Sequence, residues 1–254
     1  MTTLRVFADL GNSRLKWGRP RGGGGFEVES LPTDDETTWS AVWSRWNPAG
    51  LPSDWAISTV NPPVAVRLGR FLDALPGATA RWFRSAADAP VRHDLIRPET
   101  AGTDRAFAVL GALAVERPGA VGPGIVVSCG SAITVERISA RGVWEGGAIA
   151  PGYRMAAEAL HAMSTQLPMV RPDRTPEGWG RSTVPALEAG VFWGTVGAIR
   201  ALVGRQSEGL VPRPWAVWSG GDAEALIGPT ALDLPDQRLR PSLVIEGLAS
   251  ACGP

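Results

Sequence analysis

Cysteine, histidine and unbalanced charge are scarce in this chain, and each shortage removes a class of function. Only Cys129 and Cys252 occur among 254 residues. They are too few and too far apart for a disulfide framework or a zinc knuckle, so both read as free thiols. His93 and His161 are the only histidines, and standing apart they form no metal cluster and leave a histidine base as a minor alternative. Twenty-five basic residues balance 25 acidic ones, so the summed field attracts neither nucleic acid nor an anionic membrane. Recognition of phosphate, if any, must be local. No uninterrupted apolar stretch approaches the roughly 18 residues of a spanning helix. The opening MTTLRVFADLGNS reads as neither a signal nor a transit peptide. The expectation is a cytoplasmic protein with no nucleic-acid and no membrane partner.

What the chain does have is 44% hydrophobic residues, enough for one large or two small lobes with buried cores. Leu4 to Leu10 is an apolar strand, Gly11-Asn12 a turn, Leu15 to Trp17 a returning strand, and Phe26 to Leu31 alternates as a third. Trp39, Trp43 and Trp46 at i, i+4 and i+7 place a helix over Glu36 to Trp46. A strand at Trp55 to Val60, a helix at Val64 to Ala74, a strand at Thr79 to Phe83 and a helix at Asp104 to Glu116 follow. The run Pro118 to Gly124 is breaker-rich and marks a lobe boundary, giving lobes 1–117 and 118–254.

Past that boundary the plan repeats. Strands are expected at Ile125 to Ser128, Ile133 to Ile138 and Val143 to Ile149, then helices at Met155 to Gln166 and Val184 to Val203. A strand at Trp215 to Trp218, a helix at Ala223 to Ile227 and a last strand at Leu243 to Ile245 complete the list. Asp9 to Ser13 and Ser128 to Ala132 thus occupy equivalent places, each ending the first strand of a three-strand meander. The architecture expected is α/β, two lobes with mixed sheets flanked by helices, facing each other across a cleft.

The turn after the first strand carries the first chemistry. Gly11 and Ser13 let backbone N–H groups approach an anion, Lys16 adds a point charge, and Asp9 offers a carboxylate for Mg²⁺. A plain hairpin, with Asp9 capping Asn12 or Ser13, explains the same residues equally well. The second glycine turn, Cys129 to Thr134, shifts the balance, because two loops on equivalent strand ends can share one nucleotide's phosphates. Ser219-Gly220-Gly221-Asp222, between a strand and a helix, suits close approach of a nucleoside or phosphate.

Together these turns resemble the actin, hexokinase and Hsp70 ATPase superfamily, whose lobes are ribonuclease H-like. Within it, the chain resembles the type III pantothenate kinases. That family carries Asp-x-Gly-Asn-Thr/Ser followed by Lys, matched by Asp9, Leu10, Gly11, Asn12, Ser13, Arg14, Leu15 and Lys16. It also carries Pro-x-x-x-Gly-x-Asp-Arg, matched by Pro98 to Arg105. Gly146 to Gly152, Ser182-Thr183 leading to Glu188-Ala189-Gly190, Ser219 to Asp222, and Leu243 to Leu248 complete six motifs in order.

The resemblance implies phosphorylation of pantothenate by ATP, with Asp104 as the general base that takes the proton from the pantothenate hydroxyl. It implies Arg105 on the pantothenate carboxylate, Gly102, Thr103 and Thr183 around the same substrate, and Gly130, Ser131, Gly220 and Gly221 with Asp9 to Lys16 around ATP and Mg²⁺. It also implies a homodimer, to which Gly190, Gly194 and Gly197 on the long helix are candidates to contribute; packing within one lobe is the other reading. On local physics alone Asp104-Arg105 is equally a helix N-terminus and Thr183 a cap.

Two positions depart from the pattern: no tyrosine stands upstream of Pro98, where the family tends to place one and this chain has Leu95 or Ile96, and the second loop lacks a carboxylate. The family places an aspartate in the second loop that helps bind a monovalent cation, K⁺ or NH₄⁺, and this chain has Ser128 there. A hydroxyl can coordinate a cation but brings no charge. Two alternatives therefore accompany the kinase reading: a non-catalytic nucleotide-binding relative with a regulatory role, and a kinase of another hydroxylated substrate. The tryptophans, at helix or strand spacing, are assigned to the core.

Overall fold

The structure is a computed structural model that describes residues 3–115, 122–171 and 175–253. The expected linker Pro118 to Gly124 lies outside the described residues over positions 118–121. The chain divides into two compact units, Met1–Pro118 with Ser242–Pro254, and Gly119–Pro241.

In the first unit, strands β1 (Leu4–Leu10), β2 (Leu15–Pro20), β3 (Phe26–Leu31), β4 (Ser53–Thr59) and β5 (Ala78–Phe83) form one sheet in the order β3-β2-β1-β4-β5. The meander is antiparallel and the pairs β1–β4 and β4–β5 are parallel. Helix α1 (Glu36–Trp46) starts where the Asp35 carboxylate accepts from Thr37 and Thr38 N–H. Helix α2 (Pro62–Asp73) starts at Asn61, with prolines in its first turn where no N–H is needed.

Strand alternation divides the side chains between the two faces of the sheet. Val6, Ala8, Leu10, Leu15, Trp17, Trp55 and Ile57 join Trp39, Val42 and Trp46 of α1 and Val64, Leu68 and Leu72 of α2 in one core. Trp17 sits among Trp39, Trp46, Trp55 and Phe71, with ring centroids 5.0–6.4 Å apart. The odd-numbered partners Phe7 and Asp9 fall on the opposite face, where α3 (Thr103–Val115) and α7 (Leu243–Cys252) lie.

Helix α7 corrects one expectation and adds another. Leu243-Val244-Ile245 reads as a strand, yet it opens a helix that buries Leu243, Ile245, Gly247 and Leu248. It packs on α3 where glycines leave no space: a Cβ on Gly247 would stand 2.0 Å from the Phe107 carbonyl, and one on Gly111 2.3 Å from the Leu243 carbonyl. Ser242–Pro254 accordingly belong with the first unit, whereas the sequence division at 118 grouped them with the second lobe.

The second unit repeats the topology. Strands β6 (Gly124–Cys129), β7 (Ala132–Ile138), β8 (Trp144–Pro151), β9 (Trp215–Ser219) and β10 (Gln237–Leu239) run in the order β10-β9-β6-β7-β8. The β6-β7-β8 meander is antiparallel, and β9 joins β6 in parallel. Helices α4 (Tyr153–Ala162), α5 (Thr183–Ser207) and α6 (Ala223–Thr230) cover one face, their core centred on Ile125, Val127, Val135, Phe192, Val196, Ile199 and Trp218.

Helix α5, at 25 residues, is long and apolar enough to cross a membrane by length and composition. Its buried residues, Val191, Phe192, Thr195, Val196, Ile199 and Val203, serve the core of this unit. Its glycines do not pack within that unit. A Cβ on Gly190, Gly194 or Gly197 would meet nothing within 4 Å. Trp193, expected in the core, is 45% exposed on the same helix.

Candidate active site

The carboxylates singled out from sequence come together in the first unit. Asp9 ends β1 opposite Lys16 of β2 and beside Ser58 of β4. Alternation puts all three on one face, because Leu10, Leu15 and Ile57 point into the core on the other. The following turn closes with Gly11 N–H donating to the Arg14 carbonyl at 3.1 Å. Asn61 Nδ2 holds the Gly11 carbonyl at 3.2 Å, tying the turn to the cap of α2. Arg14 is engaged with β3, donating to Ser30 Oγ and its carbonyl. Asn12, Ser13 and Arg14 are exposed, while Leu10 and Leu15 are buried strand ends that hold the turn.

Asp104 reaches the same face from the first turn of α3. Gly102 makes room for it, since a Cβ there would lie 2.4 Å from Asp104 Oδ1 and 3.2 Å from Val60 Cγ1. Asp104 Oδ1 accepts the Arg105 N–H at 2.9 Å. Thr103 is fully buried, and its hydroxyl receives one hydrogen bond from Ser58 at 2.8 Å and donates to the Thr59 carbonyl at 3.3 Å. It anchors the helix start to β4. Ser58, absent from the sequence reading, stands beside Asp9 in register and donates its one hydroxyl proton to that anchor.

The electrostatics follow from this crowding. Burial, then the nearby Asp104 charge, pushes the Asp9 carboxyl up to about 7, against the pull of Lys16 and Ser58. Burial likewise raises Asp104 above the usual carboxylate range, opposed by the backbone N–H and charge of Arg105. Asp9 Oδ1 is out of solvent and has no hydrogen-bond partner. Two carboxylates held close, one with an orphaned oxygen, are an arrangement that a divalent cation relieves. Among the described residues no cluster of three or more His, Cys, Asp or Glu side chains exists. The donor set therefore fits a cation that takes its remaining ligands from phosphate and water, as Mg²⁺ does.

The remaining candidates lie in the second unit. Ser128 pairs with Thr134 of β7 and Ser219 of β9, so the position equivalent to Asp9 is ringed by hydroxyls. Gly130 N–H donates to the Ala132 carbonyl at 3.1 Å, and Ser131 is half-buried. Gly220 has φ of +95°, and a Cβ there would stand 2.1 Å from the Cys129 carbonyl oxygen. That backbone shape and contact require glycine. Gly221 is exposed, and Thr183 is an exposed residue in the first turn of α5. Burial, then Asp222, pushes the Cys129 thiol up to about 12.

The sequence profile described as type III pantothenate kinase matches residues 5–205. A type III pantothenate kinase of Halorhodospira halophila is 34% identical, over 96% of this chain and 96% of its own length. One from Phenylobacterium zucineum is 37% identical over 159 residues, 63% of this chain and 58% of the relative, so that match spans little more than half of its length. Among solved structures, a Baf family protein of Campylobacter jejuni aligns over 96% of this chain and 94% of its own with a TM-score of 0.55 at 19% identity. A Sinorhizobium meliloti protein assigned as a 2-dehydro-3-deoxygalactonokinase aligns over 98% of both chains, with a TM-score of 0.57 at 14% identity. At those identities the structures speak for the fold alone. By profile and by full-length identity, the chain belongs to the type III pantothenate kinase family.

Proposed function

We propose that this protein transfers the γ-phosphoryl group of ATP to the hydroxyl of pantothenate, giving ADP and 4′-phosphopantothenate, the first committed step toward coenzyme A. The observation that carries the reading is the pairing of Asp104 with Asp9 on one face of the first sheet. Phosphoryl transfer asks little covalent chemistry of a protein, mainly positioning, charge neutralisation and an acceptor for the hydroxyl proton. Asp104 is that acceptor, and burial raises its affinity for a proton toward the working range. Arg105 offers a guanidinium fork to the pantothenate carboxylate, with Gly102 and Thr183 as further substrate contacts. Thr103 contributes by fixing the helix start.

Lys16 and the Gly11–Arg14 turn meet phosphate oxygens, as do Gly130, Ser131, Gly220 and Gly221. Mg²⁺ carried with ATP would be held by Asp9 and would neutralise developing charge on the phosphates. The uncharged Ser128, beside Thr134 and Ser219, supports a reaction that depends little on K⁺ or NH₄⁺. The open face of α5, with Trp193 and three glycines lacking neighbours, supports a homodimer through that helix. Balanced charge and two free thiols support a cytoplasmic protein that binds neither nucleic acid nor membrane.

The test is ADP release by the purified protein with Mg-ATP, with and without pantothenate, in K⁺, NH₄⁺ and Na⁺ buffers. Turnover that requires pantothenate and is alike in the three buffers is expected. Ser128 also favours one other reading, a nucleotide-binding relative without turnover. Folded protein that binds ATP yet releases no ADP in any buffer would establish that reading instead.

A further inference from the structure

Three turns of the second unit meet around Cys129–Ser131. The Asp222 N–H donates to the Cys129 carbonyl at 3.1 Å, and the Gly152 N–H donates to the Ser131 carbonyl at 2.9 Å. A Cβ on Gly220 would lie 2.1 Å from the Cys129 carbonyl oxygen, and one on Gly152 2.1 Å from the Gly130 carbonyl oxygen. Both neighbouring turns are therefore seated directly on the loop's backbone. A Cβ on Gly130 itself would meet nothing within 4 Å, so that position of the loop faces open space.

A polar network joins the two seated turns. Asp222 is 6% exposed, and its Oδ1 accepts both the Tyr153 hydroxyl and Arg154 Nη2, each at 2.8 Å. Tyr153 and Arg154 open α4 immediately after Gly152. The guanidinium lies 5.8 Å from the Tyr153 ring centroid, and the Arg154 side chain remains mostly exposed. Burial, then Asp222, raises the Tyr153 hydroxyl above its ordinary value, which keeps it a donor throughout the working range. Removing a carboxylate from water is costly, and an apolar contact between the turns would avoid that cost. What a fully satisfied polar network adds is one fixed geometry. Asp222 beside a phosphate loop would also repel a polyphosphate, and Arg154 offsets that charge.

We infer that Tyr153, Arg154 and Asp222 form a clasp that positions the Cys129–Ser131 loop and the Gly220–Gly221 turn for the phosphates of ATP. This rests on the nucleotide reading above. None of the three needs to touch the nucleotide. Their effect is exerted through the spacing of turns whose backbone does, and Arg154 also offsets the Asp222 charge.

The experiment is calorimetric binding of a Mg²⁺-loaded, non-hydrolysable ATP analogue to the full chain, with thermal unfolding and steady-state KM values measured on the same samples. Tyr153→Phe removes one buried hydrogen bond to a carboxylate and is expected to weaken the analogue about tenfold. Arg154→Gln, on the exposed side of the network, should also weaken it several-fold without altering unfolding, and more so at low salt. Asp222→Asn, which keeps the acceptor oxygen, should lose less than Asp222→Ala. KM for pantothenate stays within twofold in every variant. Variants that unfold earlier yet bind the analogue like wild type would reduce the clasp to a packing device and overturn the inference, as would equal rises in both KM values. Wild-type protein that binds the analogue but ignores pantothenate would overturn the substrate assignment and leave the clasp standing; wild type that binds no nucleotide would remove both.

Discussion

The two sheets have the same strand order and the same mixture of pairings, β3-β2-β1-β4-β5 against β8-β7-β6-β9-β10, yet they put different chemistry at the same topological point. In the first, the end of the central strand carries Asp9 flanked by Lys16 and Ser58. In the second it carries Ser128 flanked by Thr134 and Ser219. The first site holds charge under strain, with a carboxylate pushed to about 7. The second holds hydroxyls and close-packed glycine turns. One scaffold occurs twice, and the side chains at matched positions differ, a carboxylate beside a lysine in the first and a ring of hydroxyls in the second.

The sharpest way to break this comparison is to neutralise the proposed base. Asp104→Asn should lower pantothenate-dependent turnover roughly 10²–10⁴-fold in protein that still folds cooperatively, read in the ADP-release assay; wild-type turnover would remove Asp104 from its role. Next in size is a comparison of glycines. Gly220→Ala meets a backbone oxygen at 2.1 Å and a φ of +95°, and should destabilise by roughly 2–5 kcal/mol in urea unfolding. Gly11→Ala meets only the Arg14 carbonyl at 3.1 Å, with no left-handed φ, and should cost under about 1.5 kcal/mol. Equal losses would erase the distinction between a charged turn and a packed one.

The Asp9 carboxyl predicts a pH effect with a definite sign. Its folded value of about 7 lies above the ordinary 3.8, so between about pH 4 and 7 the native state binds more protons than the unfolded one, and stability falls as pH rises. Asp9→Asn removes that dependence. In EDTA the variant should exceed wild type by roughly 2–4 kcal/mol at pH 8, with the gap closing below about pH 4. A variant less stable at pH 8 would show that the site is not strained. Smallest is the thiol test: Cys129, buried and raised to about 12, should resist alkylation at pH 8 in folded protein and react only on unfolding.

Much of this was legible beforehand, for identifiable reasons. Asp9 to Ser13 could be placed at the end of the first strand because the Gly11-Asn12 turn signal follows an apolar run, although a plain hairpin reads the same way. The i, i+4, i+7 spacing of Trp39, Trp43 and Trp46 marked a helix whose rings turn to the core. Ser58 could not be read, because one hydroxyl in an apolar strand looks like tolerance until the register sets it beside Asp9. Helix α7 was misread because Leu-Val-Ile is as good a strand as any, and only the fit of Gly247 on α3 decides it. The three-residue edge strand β10, Gln-Arg-Leu, carries no alternation at all; its evidence is backbone pairing with β9. Trp193 shows the converse, an aromatic at core spacing that the fold leaves exposed.

The docking of α7 on α3 has a consequence for how the molecule comes into being. The helix that bears Asp104 is completed by residues translated after the whole of the second unit. A growing chain can assemble β6 to β10 before α3 meets its Gly247 partner. Chains cut before Leu243 would keep Asp9 and Asp104 and would lack the surface that α3 rests on. Helix α7 thus supplies, from beyond the second unit in sequence, the seat of a helix that precedes that unit.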